Sequence, residues 1–176
     1  MEPRLILCDG YNIIRNMPGL AAAERQSLEG GREALLVRLT AKYRHTPHRV
    51  VVVFDGDGLG ETTQPIGRWG RGQVVFSRHG ESADAVIQRL AREERERGGE
   101  VDVISDDFAV RTAVAGSGGQ AAPVADLERA LNAAPRHQAK LAKTREYVRR
   151  KLEGADEDER PDRRKGNPRR APRRRR

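Results

Sequence analysis

The chain has 176 residues and a single cysteine, Cys8. One cysteine excludes a disulfide framework and a cysteine-based zinc site. Its place inside an apolar run makes it a small buried hydrophobe. Long apolar runs are missing as well. No stretch approaches the ~20 apolar residues of a membrane-spanning helix. The first apolar run is only a few residues long and stops at Asp9, which is too short for the core of a signal peptide. A cytoplasmic protein is the expectation. The four histidines, His45, His48, His79 and His137, show no ligand spacing and are read as surface residues. No internal repeat is present, and no lysine lies between Lys42 and Lys140.

What is abundant is charge, unevenly placed. Residues 160–176 hold ten Arg or Lys and one acid, Asp162, a net of +9; residues 154–159 hold four acids and no base, a net of −4; residues 1–153 carry a net of only +3, within a chain total of +8. A mildly basic domain over residues 1–153 is therefore expected to carry an arginine-rich tail over 154–176 that stays disordered. Its Arg173, Arg174, Arg175 and Arg176 would bind a polyanion without sequence preference.

The elements follow from periodicity. Residues 4–8 read as a buried strand, 11–27 as a loop broken by Pro18 and Gly19, and 30–44 as a helix with Ala34, Leu35 and Leu39 inside and Arg32 outside. Four consecutive valines in 49–54 mark a strand buried on both faces. Residues 56–72, with six glycines, Pro65 and the sole tryptophan Trp69, read as a loop. Strands are expected at 73–77, 100–104 and 121–124. Helices are expected at 82–97 (capped by Ser82), 107–115, 125–133 and 136–152. Alternating strands and helices imply an α/β fold, with a mostly parallel central sheet of four to five strands and helices on both faces.

Carboxylates end the strands. Asp9, Asp55 and Asp106 each follow an apolar run directly, and parallel strands share one carboxyl-terminal edge, where open α/β sheets bind ligands. Asp84 falls in the first turn of the helix after the third expected strand, at the same edge. Asp107 is a further neighbour that reads more simply as a helix cap. Carboxylates so close repel and raise one another's pKa unless a cation intervenes. All-oxygen ligands suit Mg²⁺ or Mn²⁺, which can orient and activate a phosphodiester. Glu81 is a supporting residue before the Asp84 helix. In the glycine-rich loop, Arg68, Trp69 and Arg71 form an arginine–aromatic pattern suited to stacking a base and gripping a phosphate, or Trp69 packs back onto the domain.

The stretches Leu7-Cys8-Asp9-Gly10-Tyr11-Asn12-Ile13-Ile14, Val52-Val53-Phe54-Asp55-Gly56, Gly80-Glu81-Ser82-Ala83-Asp84 and Val103-Ile104-Ser105-Asp106-Asp107 resemble, in order and spacing over residues 4–150, the NYN domain, and in particular its bacterial YacP-like branch. The resemblance implies a PIN-like three-layer sandwich and a metal-dependent endoribonuclease. By position it makes Asp9, Asp84 and Asp106 the catalytic metal carboxylates, with Asn12 and Asp55 in support. The substrate would be RNA, with mRNA on the ribosome one form of it. The arginine-rich tail falls outside the resemblance.

Two other functions fit parts of the chain. Asp55 and Asp57 imitate the D-x-D pair of haloacid-dehalogenase-like phosphatases, with Asp55 as nucleophile. However, that fold begins with the D-x-D strand, and its phosphate-binding lysine has no counterpart between Lys42 and Lys140. A non-catalytic RNA- or ribosome-binding protein with the same shell is the second. Four clustered carboxylates argue against it, since they would repel an RNA backbone.

Overall fold

The computed structural model describes residues 2–56, 62–67 and 69–133. The expected helix at 136–152, the tail, His137, Asp57 and Arg68 lie outside them. In chain order the elements are β1 (Leu5–Asp9), α1 (Gly10–Asn16), α2 (Pro18–Glu24), α3 (Leu28–Tyr43), β2 (Arg49–Phe54), β3 (Thr62–Ile66), β4 (Trp69–Phe76), α4 (Ala83–Glu96), β5 (Val101–Ile104), α5 (Phe108–Gly116), β6 (Gln120–Ala122) and α6 (Val124–Asn132). Among the described residues no helix is long and apolar enough to cross a membrane.

The α/β expectation holds, with six strands rather than four or five. The sheet runs β3-β4-β2-β1-β5-β6, and all its pairs are parallel except β3 with β4. The extra strand is β3, hidden from the sequence because four of its five residues are exposed. It shows no alternation, and its Pro65 is tolerated because β3 is an edge strand. β4 also starts earlier than its apolar run. Gly72 lies under the Trp69 ring, where a Cβ would sit 2.2 Å from a ring carbon, so this glycine is packing rather than loop chemistry. The expected loop at 11–27 is two short helices. Asp9 caps α1 through the Asn12 N–H, and Pro18 takes the first position of α2, where its missing N–H costs nothing.

Strand alternation divides the core into two layers. Ile6, Cys8, Val50, Val52, Phe54 and Ile104 face α1, α2, α3 and α6, packing with Ile13, Ile14, Met17, Leu20, Leu35, Leu39 and Leu127. Leu5, Leu7, Val51, Val53, Val101 and Val103 face α4 and α5, packing with Val86, Ile87, Ala91, Val110 and Val114. Central strands apolar on both faces are what a parallel sheet covered on both sides requires. Because both faces are covered, function is left to the edge where the five parallel strands end.

Candidate active site at the carboxyl edge of the sheet

Register decides which groups meet at that edge. Cys8 lies opposite Val52 on one side and opposite Ile104 on the other. Asp9 is therefore level with Ser105, not with Asp106. The Ser105 hydroxyl donates to Asp9 Oδ2 at 2.9 Å and accepts the Asp107 N–H at 3.0 Å. Ser105 is fully buried and Asp9 nearly so. Asp9 Oδ1 takes the Asn12 N–H at 3.3 Å.

Side chain to backbone bonds then stitch neighbouring turns together. Asn12 Oδ1 accepts the Asp106 N–H at 2.8 Å, joining α1 to the β5–α5 turn. Asp55 Oδ1 accepts the Ala83 N–H at 2.7 Å, pinning the start of α4 and with it Asp84 to the end of β2. Ser82 caps α4 as expected, accepting from the Ala85 N–H. The buried Ser77 accepts the Gly56 N–H at 3.1 Å, tying the ends of β2 and β4. Gly56 cannot be replaced there, since a Cβ would stand 2.2 Å from the Ser77 carbonyl oxygen.

The electrostatics show the carboxylates crowding. Burial pushes the Asp9 carboxyl above its usual range, and Asp84 and Asp55 push it further, against the lowering effect of the Ser105 and Asn12 hydrogen bonds. Burial also raises Asp84, with Asp107 and then Asp55 adding to it. The Cys8 thiol, buried beside Asp9, is pushed up to about 12 and is inert packing. Asp9, Asp55, Asp84 and Asp107 thus share one field.

Asp106 and Asp107 both cap helices. Asp106 is exposed, and its Oδ1 accepts the Val124 N–H at 2.9 Å, capping α6, whose own N-cap residue is Pro123. Asp107 caps α5 through the Val110 N–H at 2.9 Å, as expected, and is also the residue whose charge reaches Asp84. Asp106→Ala is expected to lower stability by about 1 kcal/mol, the usual worth of a helix cap; urea unfolding monitored by far-ultraviolet circular dichroism measures it. Glu81 lies against Arg78 (3.1 Å) and Arg89 (3.9 Å), an ion-paired position before α4.

Trp69 and Arg71 lie in the first half of β4, whereas the acids lie where the parallel strands end, ~23 Å from Trp69 and ~17 Å from Arg71 at ~3.3 Å per residue. The Trp69 ring is buried over Gly72, the packed-back one of its two expected readings. Arg71 is exposed and reaches the Thr46 carbonyl at 3.4 Å. A cavity of about 1110 Å³ is at that opposite end, between α3 and the β3–β4 hairpin, and is not part of the acidic site. His48 is buried against the Tyr43 ring rather than on the surface; His45 and His79 are exposed.

Three residues at the edge went unread in the sequence. Ser105 and Ser77 are organised by register, which no local pattern shows. Arg32, expected on the outer face of its helix, is half-buried. Its guanidinium lies 5.3, 5.4 and 5.0 Å from the Tyr11, Phe54 and Phe76 ring centres, and both Nε and Nη2 donate to the Tyr11 hydroxyl. Among the described residues it has no carboxylate partner.

Among the described residues no three His, Cys, Asp or Glu side chains are gathered closely enough to form a metal shell by themselves. The donor chemistry nonetheless fits Mg²⁺ or Mn²⁺. Mg²⁺ takes one or two carboxylates and completes its octahedron with water and substrate phosphate. Asp9 and Asp84, raised by burial and then by neighbouring acids, are carboxylates whose charge a cation would balance.

A sequence profile described as the YacP-like NYN domain matches residues 6–163. The uncharacterized protein YacP of Bacillus subtilis (strain 168) is 30% identical over 114 residues, 65% of this chain and 66% of that one, so the match spans about two thirds of the relative's length. The crystal structure of Rae1 (YacP) from Bacillus subtilis superposes with a TM-score of 0.63 at 25% identity, covering 89% of this chain and 87% of the other. A mutant of the same protein gives 0.61, also at 25% identity, over 88% and 86%.

Proposed function

We propose that this chain, which belongs to the YacP-like NYN domain family, is a metal-dependent endoribonuclease that hydrolyses RNA phosphodiester bonds at the carboxyl edge of its sheet. The family points to nuclease chemistry on RNA; the metal, the catalytic residues and the ribosome as a partner belong to the proposal. The observation that carries it is the crowding of Asp9, Asp55, Asp84 and Asp107, with burial and mutual repulsion raising Asp9 and Asp84. Carboxylates with raised pKa values gathered at the ligand-binding edge of an α/β sheet are characteristic of functional sites.

Asp9 and Asp84 would hold Mg²⁺ or Mn²⁺, with Asp106 Oδ2 free of protein partners among the described residues to join them. Asp55 and Asp107 would support the set by positioning α4 and by their charge. A bound cation would supply Lewis-acid stabilisation of the charge that develops on the phosphoryl oxygens. The chain's own part is orientation. Ser105 and the Asn12 N–H hold the two Asp9 oxygens, Asn12 Oδ1 holds the β5–α5 turn, and Asp55 holds the α4 terminus. Water would add to the phosphorus as the P–O3′ bond breaks, the leaving 3′ oxygen taking a proton, so the expected products carry a 5′-phosphate and a 3′-hydroxyl. A 2′,3′-cyclic phosphate would show that the RNA 2′-hydroxyl attacks and that this scheme is wrong.

The test is incubation of the purified chain with RNA and Mn²⁺, with and without EDTA, with mapping of product ends. Cleavage that EDTA abolishes supports the proposal. Binding without cleavage of any RNA, ribosome-bound mRNA included, would favour the non-catalytic module. A phosphatase built on Asp55 is disfavoured because the strand it ends is the second in the chain, not the first. The arginine-rich residues 154–176 are proposed to add sequence-independent RNA or ribosome affinity. Deleting them should flatten the salt dependence of binding, by ~0.7 in log–log slope for each phosphate that the tail neutralises.

A further inference from the structure

The chain holds one tryptophan, three tyrosines and three phenylalanines. Among the described residues, Tyr11, Phe54 and Trp69 are buried, while Tyr43 and Phe76 are partly buried against the same core. Phe108 alone of these aromatics is out in solvent, 81% exposed. Its position is as informative as its exposure. It is the first residue of α5 and follows Asp107 directly, whose charge acts on Asp84. Its backbone is held on the N-terminal side by the Ser105 hydroxyl on the Asp107 N–H and by the Asp107 cap on the Val110 N–H. The capped turn thus presents a phenyl ring beside the acidic edge, and among the described residues no ring contact accounts for it. Arg111 follows one turn later, three residues along α5, on the adjoining part of the helix surface. It is half-buried and makes no ion pair among the described residues.

We infer that Phe108 stacks on a nucleobase of the RNA next to the scissile phosphate, with Arg111 contacting the backbone of the same strand, so that this pair selects the nucleotide placed at the carboxylates. The inference rests on the ribonuclease function proposed above and specifies a subsite for it. Aromatic faces bind any base through stacking, and an arginine alongside supplies the phosphate contact. The arrangement also answers a physical problem of the site. Carboxylates repel a phosphodiester, so a substrate must be held by uncharged contacts and by cations beside them. Trp69, the other aromatic considered for this role, is buried at the start of β4, away from the acids, whereas Phe108 presents an open face at α5.

The experiment compares the full-length wild type with Phe108→Ala and Phe108→Trp on single-stranded RNA oligonucleotides of differing base composition, in Mn²⁺. Phe108→Ala should raise KM by roughly 10-fold, the loss of one stacked base, with kcat within about twofold, an unchanged melting temperature and a flattened nucleotide preference at the cut. Phe108→Trp should restore KM, and its fluorescence should be quenched by oligonucleotide beyond any change in wild type, whose Trp69 is buried. If wild type cleaves and Phe108→Ala matches it in KM and in preference, the inference is overturned, including when the variant instead loses self-association. If wild type cleaves no RNA, the ribonuclease function itself fails and the inference falls with it.

Discussion

Asp9→Asn is expected to lose RNA cleavage by roughly 10³-fold while melting at a higher temperature than wild type at pH 7 in the absence of divalent metal. The loss follows from the proposed site. Charge stabilisation worth several kcal/mol is withdrawn when a metal carboxylate is neutralised, and about 4 kcal/mol corresponds to three powers of ten. The gain follows from the field that the carboxylate endures. Asp9 is buried and is repelled by Asp84 and Asp55, so its folded pKa lies above its unfolded value. Such a group stabilises the fold below its unfolded pKa, and that contribution is lost as pH rises through the folded one. The advantage of Asp9→Asn should therefore be absent below about pH 4, open as pH rises through the raised Asp9 value, and then stay level.

The asparagine keeps the hydrogen bonds within reach. Its carbonyl can accept the Asn12 N–H, and its amide can donate to Ser105 Oγ where the carboxylate accepted. Metal gives a second readout that does not depend on turnover. Anything bound to the folded state stabilises it in proportion to the logarithm of its concentration. Mn²⁺ should raise the wild-type melting temperature and leave Asp9→Asn nearly unmoved. Differential scanning fluorimetry over pH, with and without Mn²⁺, measures both effects. An Asp9→Asn variant less stable than wild type at pH 7 without metal would mean that Asp9 is a structural cap rather than a strained site residue.

Phe54→Ala is expected to have the largest effect on stability, about 3–5 kcal/mol. Phe54 is fully buried at the end of β2, with its ring 4.9 Å from Tyr11 and 5.7 Å from Phe76 between centres. The ring also fills the space that Gly10 leaves, since a Cβ on Gly10 would lie 2.3 Å from it. Removing it opens a cavity directly beneath Asp9 and Asp55 and takes away one of the three aromatic faces around Arg32. At about 2–4 °C per kcal/mol for a chain of this length, the melting temperature should fall by roughly 10 °C. Phe54→Leu, which keeps most of the volume, should fall by less than half as much. Equal losses in the two variants would show that bulk matters less here than the aromatic contacts among Tyr11, Phe76 and Arg32.

The central strands were legible because a parallel strand covered on both faces must be largely apolar, as residues 5–8, 50–54 and, apart from the half-buried Asp102, 101–104 are. Their terminal aspartates were legible for the same reason, as charges set against apolar runs. β3 was not, because an exposed edge strand has no pattern to betray it. α1 and α2 were not, because Pro18 and Gly19 read as breakers when the proline in fact begins a helix. Trp69 and Phe108 show a further limit. Both are aromatic, and only the packing of Gly72 under one ring and the open surface around the other tells which is core and which is free.

The sequence by itself determined that this chain builds a parallel α/β sheet and ends its strands in carboxylates at one edge, because hydrophobic periodicity and strand direction are local properties that add up to a shared edge. Only the tertiary structure decided what each carboxylate does there. A shift of one residue in register sets Asp9 against Ser105 instead of Asp106, and the docking of α6 turns an Asp106 oxygen to Val124. These are long-range outcomes of strand pairing and helix packing, with partners 96 and 18 residues apart in sequence, and no local pattern carries them.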